Sequence, residues 1–182
     1  SSSAASDVYK RQLTGLINRP EFERRVGQVR ASTEEGEEHA LCYLDLDGFK
    51  LVNDSAGHEA GDELLKAISR LANDRIRSRD TVARLGGDEF GVLLEHCALD
   101  KAVEIAADLQ QGIEDLEFKW EEQPFPIGAS VGVVPITATS GRTADLLRAA
   151  DAACYAAKEA GGSQVHVGQE IADGTGRVSE DR

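Results

Sequence analysis

The sequence predicts an α/β (α+β) fold, with one mixed sheet flanked by helices. Three observations predict it. Segments with apolar residues at helical spacing alternate with short, mostly apolar runs bounded by turn residues. Two of those runs flank a Gly-Gly-Asp-Glu string, the composition of a tight hairpin. The length of 182 residues, 41% of them hydrophobic, suits a single domain whose core needs neither disulfides nor structural metal.

The first dozen residues, SSSAASDVYKRQ, have no hydrophobic period, and 1–12 read as a non-native or disordered leader. Pro20 then suits a first helical turn, and Phe22, Val26 and Val29 follow at helical spacing before the polar stretch Thr33 to Glu38. Ala40 to Leu46 is a buried strand ending at Asp47-Gly48. Phe49 to Asp54 reads as a loop. From Asp62 the set Leu64, Leu65, Ile68, Leu71, Ala72 and Ile76 makes a helix to about Arg77, with Asp62 and Glu63 suited to its start. Thr81 to Leu85 and Phe90 to Glu95 are the strands of the hairpin, and Ala98 to Leu116 is again helical. Ile127 to Val134 is a strand in which Gly128 and Gly132 mark a close backbone approach or a bulge. Thr143 can cap a helix reaching Ala160, which Gly161-Gly162 ends, and Gln164 to Val167 is a last short strand. The domain is thus 13–167, and the polar segment 168–182 is a linker or disordered tail.

A net charge of −13 repels phosphate backbones and anionic lipid, which excludes nucleic acid and membrane surfaces as non-specific partners. A phosphorylated small molecule stays open if a local positive charge serves it. Cys42, Cys97 and Cys154 are odd in number, far apart and each in an apolar stretch, so they read as core thiols in a reducing compartment. No apolar run approaches the ~20 residues of a membrane span. The expectation is a soluble, cytoplasmic piece.

Three features carry chemistry. Asp45-Leu46-Asp47 at the end of a strand puts two carboxylates on one face, hard oxygen ligands of the kind Mg²⁺ takes, although such a pair alone is more often a solvated strand end. Gly86-Gly87-Asp88-Glu89 offers backbone amides free of side chains beside two carboxylates, and taken alone it is equally a hairpin turn. Between them, Asn53 and Asp62 form a donor and acceptor set that could read a guanine edge, and Lys50 supplies the positive charge. Separately, turn formation and helix capping explain these residues.

Together they resemble one family. Leu13-Thr14-Gly15-Leu16 with Asn18-Arg19, the pattern DxDxFKxxNDxxGHxxGDxxL from Asp45 to Leu65, and RxGGDEF from Arg84 to Phe90 are similar to the GGDEF diguanylate cyclases. Ser130-Val131-Gly132, Ala150-Asp151 and Tyr155 with Lys158 resemble later blocks of that family. The resemblance implies a mainly antiparallel central sheet like the nucleotide cyclase and polymerase palm, with a GGDEF β-hairpin. It implies joining of two GTP into cyclic di-GMP with release of two pyrophosphates, with Mg²⁺ or Mn²⁺ as cofactor and a homodimer as the active unit. Asp45, Leu46 (through its carbonyl), Asp88 and Glu89 would be the metal ligands, and Asp88, Glu89 and Lys50 the catalytic set, with Asp88 the candidate base. Asn53, His58, Asp62, Gly86, Gly87 and Lys158 would bind substrate. Arg77 and Asp80, an RxxD at the spacing of the family's inhibitory product site, would take cyclic di-GMP, their plain alternative being a favourable helix C-terminus.

The sequence also departs from the family. Arg11 stands where the family has an aspartate, which predicts a looser N-terminal anchor. Gly162 stands where the family commonly has an arginine near phosphate, which predicts lower GTP affinity. The helix from Ala98 to Leu116 lacks the second product-binding arginine, leaving cross-linked inhibition of dimers open. The segment from Ala153 to Val167 is similar to cyclases that continue into an EAL phosphodiesterase domain, so the chain reads as a fragment of a longer signalling protein that also lacks its sensory domain here. The competing reading is a catalytically weak module that binds GTP or cyclic di-GMP to regulate a neighbouring domain.

Overall fold

The computed structural model describes residues 13–169. The leader assigned to 1–12 and all but the start of the tail 168–182 lie outside the described residues. In chain order the elements are α1 (Arg19–Ser32), β1 (Glu38–Asp47), α2 (Phe49–Ala56), α3 (His58–Arg75), β2 (Thr81–Arg84), β3 (Glu89–Leu94), α4 (Leu99–Glu114), β4 (Lys119–Trp120), β5 (Gln123–Pro124), β6 (Gly128–Thr137), α5 (Thr143–Glu159) and β7 (Gln164–Val167).

Five strands form one sheet in the order β2-β3-β1-β6-β7. All neighbours are antiparallel except β6 and β7, which run parallel, so the sheet is mixed and mainly antiparallel as predicted. β1 lies at the centre because its apolar run is buried on both faces. One face, carrying Cys42, Leu44, Leu46, Phe90 and Val131, packs against Leu64, Leu65 and Ile68 of α3 and Ala106 and Leu109 of α4. The other, carrying Leu41, Tyr43 and Val134, packs against Phe22 and Val26 of α1 and Leu146 and Ala150 of α5. Small residues let the helices approach on this second side. A Cβ on Gly91 would lie 2.6 Å from the Phe22 ring, and one on Gly132 would run into the Ala150 carbonyl and the Cys154 amide. The close approach read from Gly132 is thus a helix backbone seated on β6.

The structure corrects the sequence reading at three places. Phe49 to Asp54 is not a loop but belongs to α2, a helix whose single buried residue, Val52, leaves too little apolar period to detect. Gly57, with φ of 93°, breaks the chain between α2 and α3, so α3 starts at His58 and Asp62 lies in its second turn rather than at its start. Thr143 is the first helical residue of α5 rather than its cap; the residue before it, Arg142, donates its backbone N–H to Asp145 at 3.1 Å. The small β4–β5 hairpin is an addition that two-residue strands do not announce. Cys42, Cys97 and Cys154 are free and buried. No helix among the described residues is long and apolar enough to cross a membrane.

Candidate active site

β1 ends in the DxD pair, and antiparallel register sets Asp45 opposite Glu89 of β3 on one side and Ser130 of β6 on the other. Directly opposed residues point to one face, so Asp45, Asp47, Glu89 and Ser130 share the face that α5 covers. Near the end of α5 stands Lys158, whose ammonium lies 3.3 Å from Asp45 Oδ2, 3.2 Å from Asp47 Oδ1 and 3.5 Å from the Leu46 carbonyl oxygen. Asp47 also accepts from Ser130 Oγ at 3.2 Å and from the Ser163 amide at 3.0 Å. Asp45 Oδ1 is buried with no hydrogen-bond partner. Burial, and next the charge of Asp88, push the Asp45 carboxyl up to about 6, against the pull of Lys158. Burial opposes the charge on Lys158, yet the Asp45 and Asp47 carboxylates outweigh it and raise its pKa.

The hairpin joining β2 and β3 lies beside this cluster, its Asp88 carbonyl accepting from the Leu46 amide at 3.0 Å. Arg84 fastens it, donating to the Gly86 carbonyl at 3.0 Å and the Gly87 carbonyl at 2.8 Å. Burial lowers the Arg84 pKa, while the charges of Asp62 of α3 and of Asp88 oppose that shift. Glu89 Oε1 accepts from the Tyr43 hydroxyl at 2.9 Å, and Arg19 donates to that hydroxyl at 2.9 Å. Burial, then the charges of Asp151 and Glu89, hold the Tyr43 phenol well above its usual pKa.

The structure brings Asp45, Leu46, Glu89 and Lys158 together and sets Asp88 next to Leu46. Asn53 of α2 lies directly over Gly61, where a Cβ would collide with its amide, so Asn53 and Asp62 are neighbours across the α2–α3 break. His58, exposed, opens α3. Lys50 is not drawn into the cluster: its side chain is 87% exposed and pairs with Asp54 at 2.9 Å. Arg77 and Asp80 form a bidentate pair at 2.8 Å and 2.8 Å beyond the far end of α3. The sequence gives Tyr43 no role and marks Arg19, Arg84 and Ser130 as motif positions without a site role. The period of two from Tyr43 to Asp45 is the one signal that pointed to Tyr43. Where the family commonly carries arginine, Gly162 has φ of +79°, and a Cβ there would sit 2.9 Å from Asp47 Oδ2.

The donor set fits a hard divalent cation. The orphaned Oδ1 of Asp45 lacks any donor, and the surrounding ligand atoms are all oxygens. No group of three or more His, Cys, Asp or Glu side chains among the described residues is close enough to cage an ion by itself. That is compatible with Mg²⁺, which usually takes one or two carboxylates and completes its shell with water and substrate phosphate.

The sequence model for the diguanylate cyclase GGDEF domain matches residues 9–164. The chain belongs to the GGDEF domain family. This GGDEF domain is 43% identical over 170 residues to a probable diguanylate cyclase, DgcE, of Escherichia coli strain K12, covering 92% of this chain and 15% of that protein. It is 36% identical over 159 residues to the cyclic di-GMP phosphodiesterase PdeB of Shewanella oneidensis, covering 85% of this chain and 18% of PdeB. The chain therefore spans only a small part of these relatives. The coiled coil and GGDEF domain of DgcB from Caulobacter crescentus, solved in complex with c-di-GMP, superimposes with a TM-score of 0.79 at 25% identity, over 86% of this chain and 83% of that one.

Proposed function

We propose that this GGDEF domain is a diguanylate cyclase, condensing two GTP into cyclic di-GMP with loss of two pyrophosphates. The observation that carries the reading is the convergence of Asp45, with its unpartnered buried oxygen, the Leu46 carbonyl and Lys158 beside a hairpin bearing Asp88 and Glu89. The family supports the reaction class, as does the relative named as a probable diguanylate cyclase, DgcE.

Asp45, Asp88, Glu89 and the Leu46 carbonyl would hold Mg²⁺ or Mn²⁺, which when bound stabilises the leaving pyrophosphate and acidifies the attacking hydroxyl. Asp88 accepts the proton of a ribose 3′-hydroxyl as its oxygen bonds to the α-phosphorus of the other GTP and the bond from that phosphorus to pyrophosphate breaks. Lys158 and Lys50 oppose the charge gathering on the triphosphate. Gly86 and Gly87 let phosphate approach the backbone, while Asn53 and Asp62, with His58 nearby, select guanine. One such site holds one GTP, so two domains meet antiparallel as a homodimer. Product returning to Arg77 and Asp80 restrains the reaction.

The test is incubation of the purified chain with GTP and Mg²⁺ over a wide range of protein concentration. Pyrophosphate and cyclic di-GMP are expected, at a rate rising more steeply than protein concentration until the dimer saturates. GTP binding without product at any concentration overturns the reading and leaves a regulatory nucleotide-binding module. Asp88→Ala is expected to abolish turnover and leave product binding at Arg77 and Asp80 in place.

A further inference from the structure

We propose that Tyr43, braced by Arg19, is a positioning residue that commits one oxygen of Glu89 to the protein and reserves the other for the divalent cation. The inference rests on the proposed metal role of Glu89. It does not depend on which reaction follows.

The hydrogen-bond chemistry permits one arrangement. Arginine has no acceptor, so in the 2.9 Å contact between Arg19 and the Tyr43 oxygen the guanidinium must donate. The phenol has a single hydrogen, and the acceptor at hydrogen-bond distance, 2.9 Å, is Glu89 Oε1, although the charge of Asp151 bears on the phenol too. The proton therefore points at Glu89, and the chain Arg19 to Tyr43 to Glu89 has a fixed direction. Arg19 is anchored in turn by the Leu85 carbonyl at 3.4 Å and Glu23 at 3.3 Å, and it lies 3.9 Å from Glu89 Oε1 itself.

Both contacts made to Glu89, from the Tyr43 hydroxyl and from Arg19, fall on the same carboxylate oxygen, Oε1. A Cβ on Gly86 would also lie 3.2 Å from Oε1, so that oxygen is packed under the hairpin glycine as well. Oε2 has no hydrogen-bond partner among the described residues. Glu89 stands opposite Asp45 in the ladder, and Asp45 has its own unpartnered oxygen, Oδ1. The two carboxylates thus each present one uncommitted oxygen from adjacent strands. In both, the other oxygen is held, by Lys158 in one case and by Tyr43 in the other.

A carboxylate oxygen that accepts from a hydroxyl and faces a guanidinium is the poorer ligand, so a cation is favoured at the other oxygen. One-oxygen ligation suits Mg²⁺ or Mn²⁺, with near-octahedral shells, whereas Ca²⁺ accepts two oxygens of one carboxylate at longer distances. Tyr43 accordingly strengthens the site and biases it against the larger ion.

The experiment titrates the full chain with Mn²⁺, followed by electron paramagnetic resonance of the free ion, with Ca²⁺ as competitor and no nucleotide present. Tyr43→Phe keeps the ring and removes the hydroxyl. It is expected to weaken Mn²⁺ binding by about 10-fold, as losses of orienting partners around metal ligands do, and to lower the preference for Mn²⁺ over Ca²⁺. In a Glu89→Gln background the same change is expected to have no further effect. Arg19→Lys, which keeps a donor, is expected to preserve most of the affinity. If Tyr43→Phe lowers the melting temperature with Mn²⁺ affinity and ion preference unchanged, the hydroxyl is merely satisfied by Glu89 and the proposal fails. Additive losses in the double variant overturn it too. Should Tyr43→Phe not fold, Arg19→Met carries the same two predictions. Because no GTP is used, a chain that binds Mn²⁺ in this manner but makes no cyclic di-GMP sinks the cyclase reading alone.

Discussion

Lys158 Nζ sits 3.3 Å from Asp45 Oδ2, yet Asp45 Oδ1, on the same carboxylate, is buried and faces no donor. The ammonium reaches the Leu46 carbonyl and Asp47 as well, so it occupies an oxygen-lined site as an internal counter-cation. Loss of that charge leaves two carboxylates facing each other. Lys158→Met is expected to lower stability by about 1–3 kcal/mol near neutral pH and the cyclase rate by about 10²-fold. Millimolar Mg²⁺ is expected to raise the melting temperature of the variant more than that of the parent. Thermal melts with and without the ion check this.

The Asp45 carboxyl is also a pH probe. It is pushed up to about 6 in the fold, by burial first and Asp88 second, against ~3.9 in an unfolded chain. A group whose folded pKa is raised contributes stability that is complete below its unfolded value and is lost as pH rises through its folded value. Metal-free protein is therefore expected to lose on the order of 2 kcal/mol from this group between about pH 4 and pH 6. Asp45→Asn flattens that part of the curve. Chemical denaturation across this range, parent against variant, reads the difference.

Much of this was legible in the residues, and the exceptions have physical causes. The strands and α4 carried clear apolar periods, and RxGGDEF with DxDxFK marked the two segments that antiparallel pairing joins at Asp45 and Glu89. The α2 helix was missed because one buried residue in eight gives no period, and the break at Gly57 shifted the start of α3. The carboxylate partners Tyr43 and Ser130 received no site role because each contact depends on strand register, which local pattern does not reveal. Arg84, by contrast, reads only as the start of RxGGDEF although its contacts, to the Gly86 and Gly87 carbonyls, are local. Likewise, the arginine lost at Gly162 is more than a missing charge, since its backbone lies at positive φ against Asp47.

Gly132 links the fold to the site. A Cβ there would strike the Ala150 carbonyl and the Cys154 amide, and backbone of α5 cannot move aside as a side chain can. Gly132→Ala is expected to cost about 1–3 kcal/mol through overpacking, which for a domain of this size lowers the melting temperature by roughly 2–4 °C per kcal/mol. Because α5 carries Lys158, the displaced helix is also expected to weaken Mg²⁺-dependent activity beyond the stability loss. Turnover measured well below the melting point separates the two effects.

Arg77 has a structural task beside any product it binds. Its guanidinium holds Asp80, whose side chain is fully buried, and donates to the Glu95 carbonyl at 2.8 Å, joining the end of α3 to the β2–β3 pair. Removing one member of such a pair leaves an uncompensated buried charge, so Arg77→Ala is expected to cost about 3–5 kcal/mol. Asp80→Asn, which removes that charge while keeping an acceptor for the Arg77 backbone amide, is expected to cost less. Feedback through this site requires product to compete with Asp80 and Glu95 for the guanidinium. Asp80→Asn is therefore expected to change the concentration of cyclic di-GMP that halves the rate, while Arg79→Ala leaves stability within about 0.5 kcal/mol of the parent. Denaturant melts and product titrations of the three variants decide it, and equal stabilities for Arg77→Ala and Arg79→Ala would show that the buried pair contributes nothing.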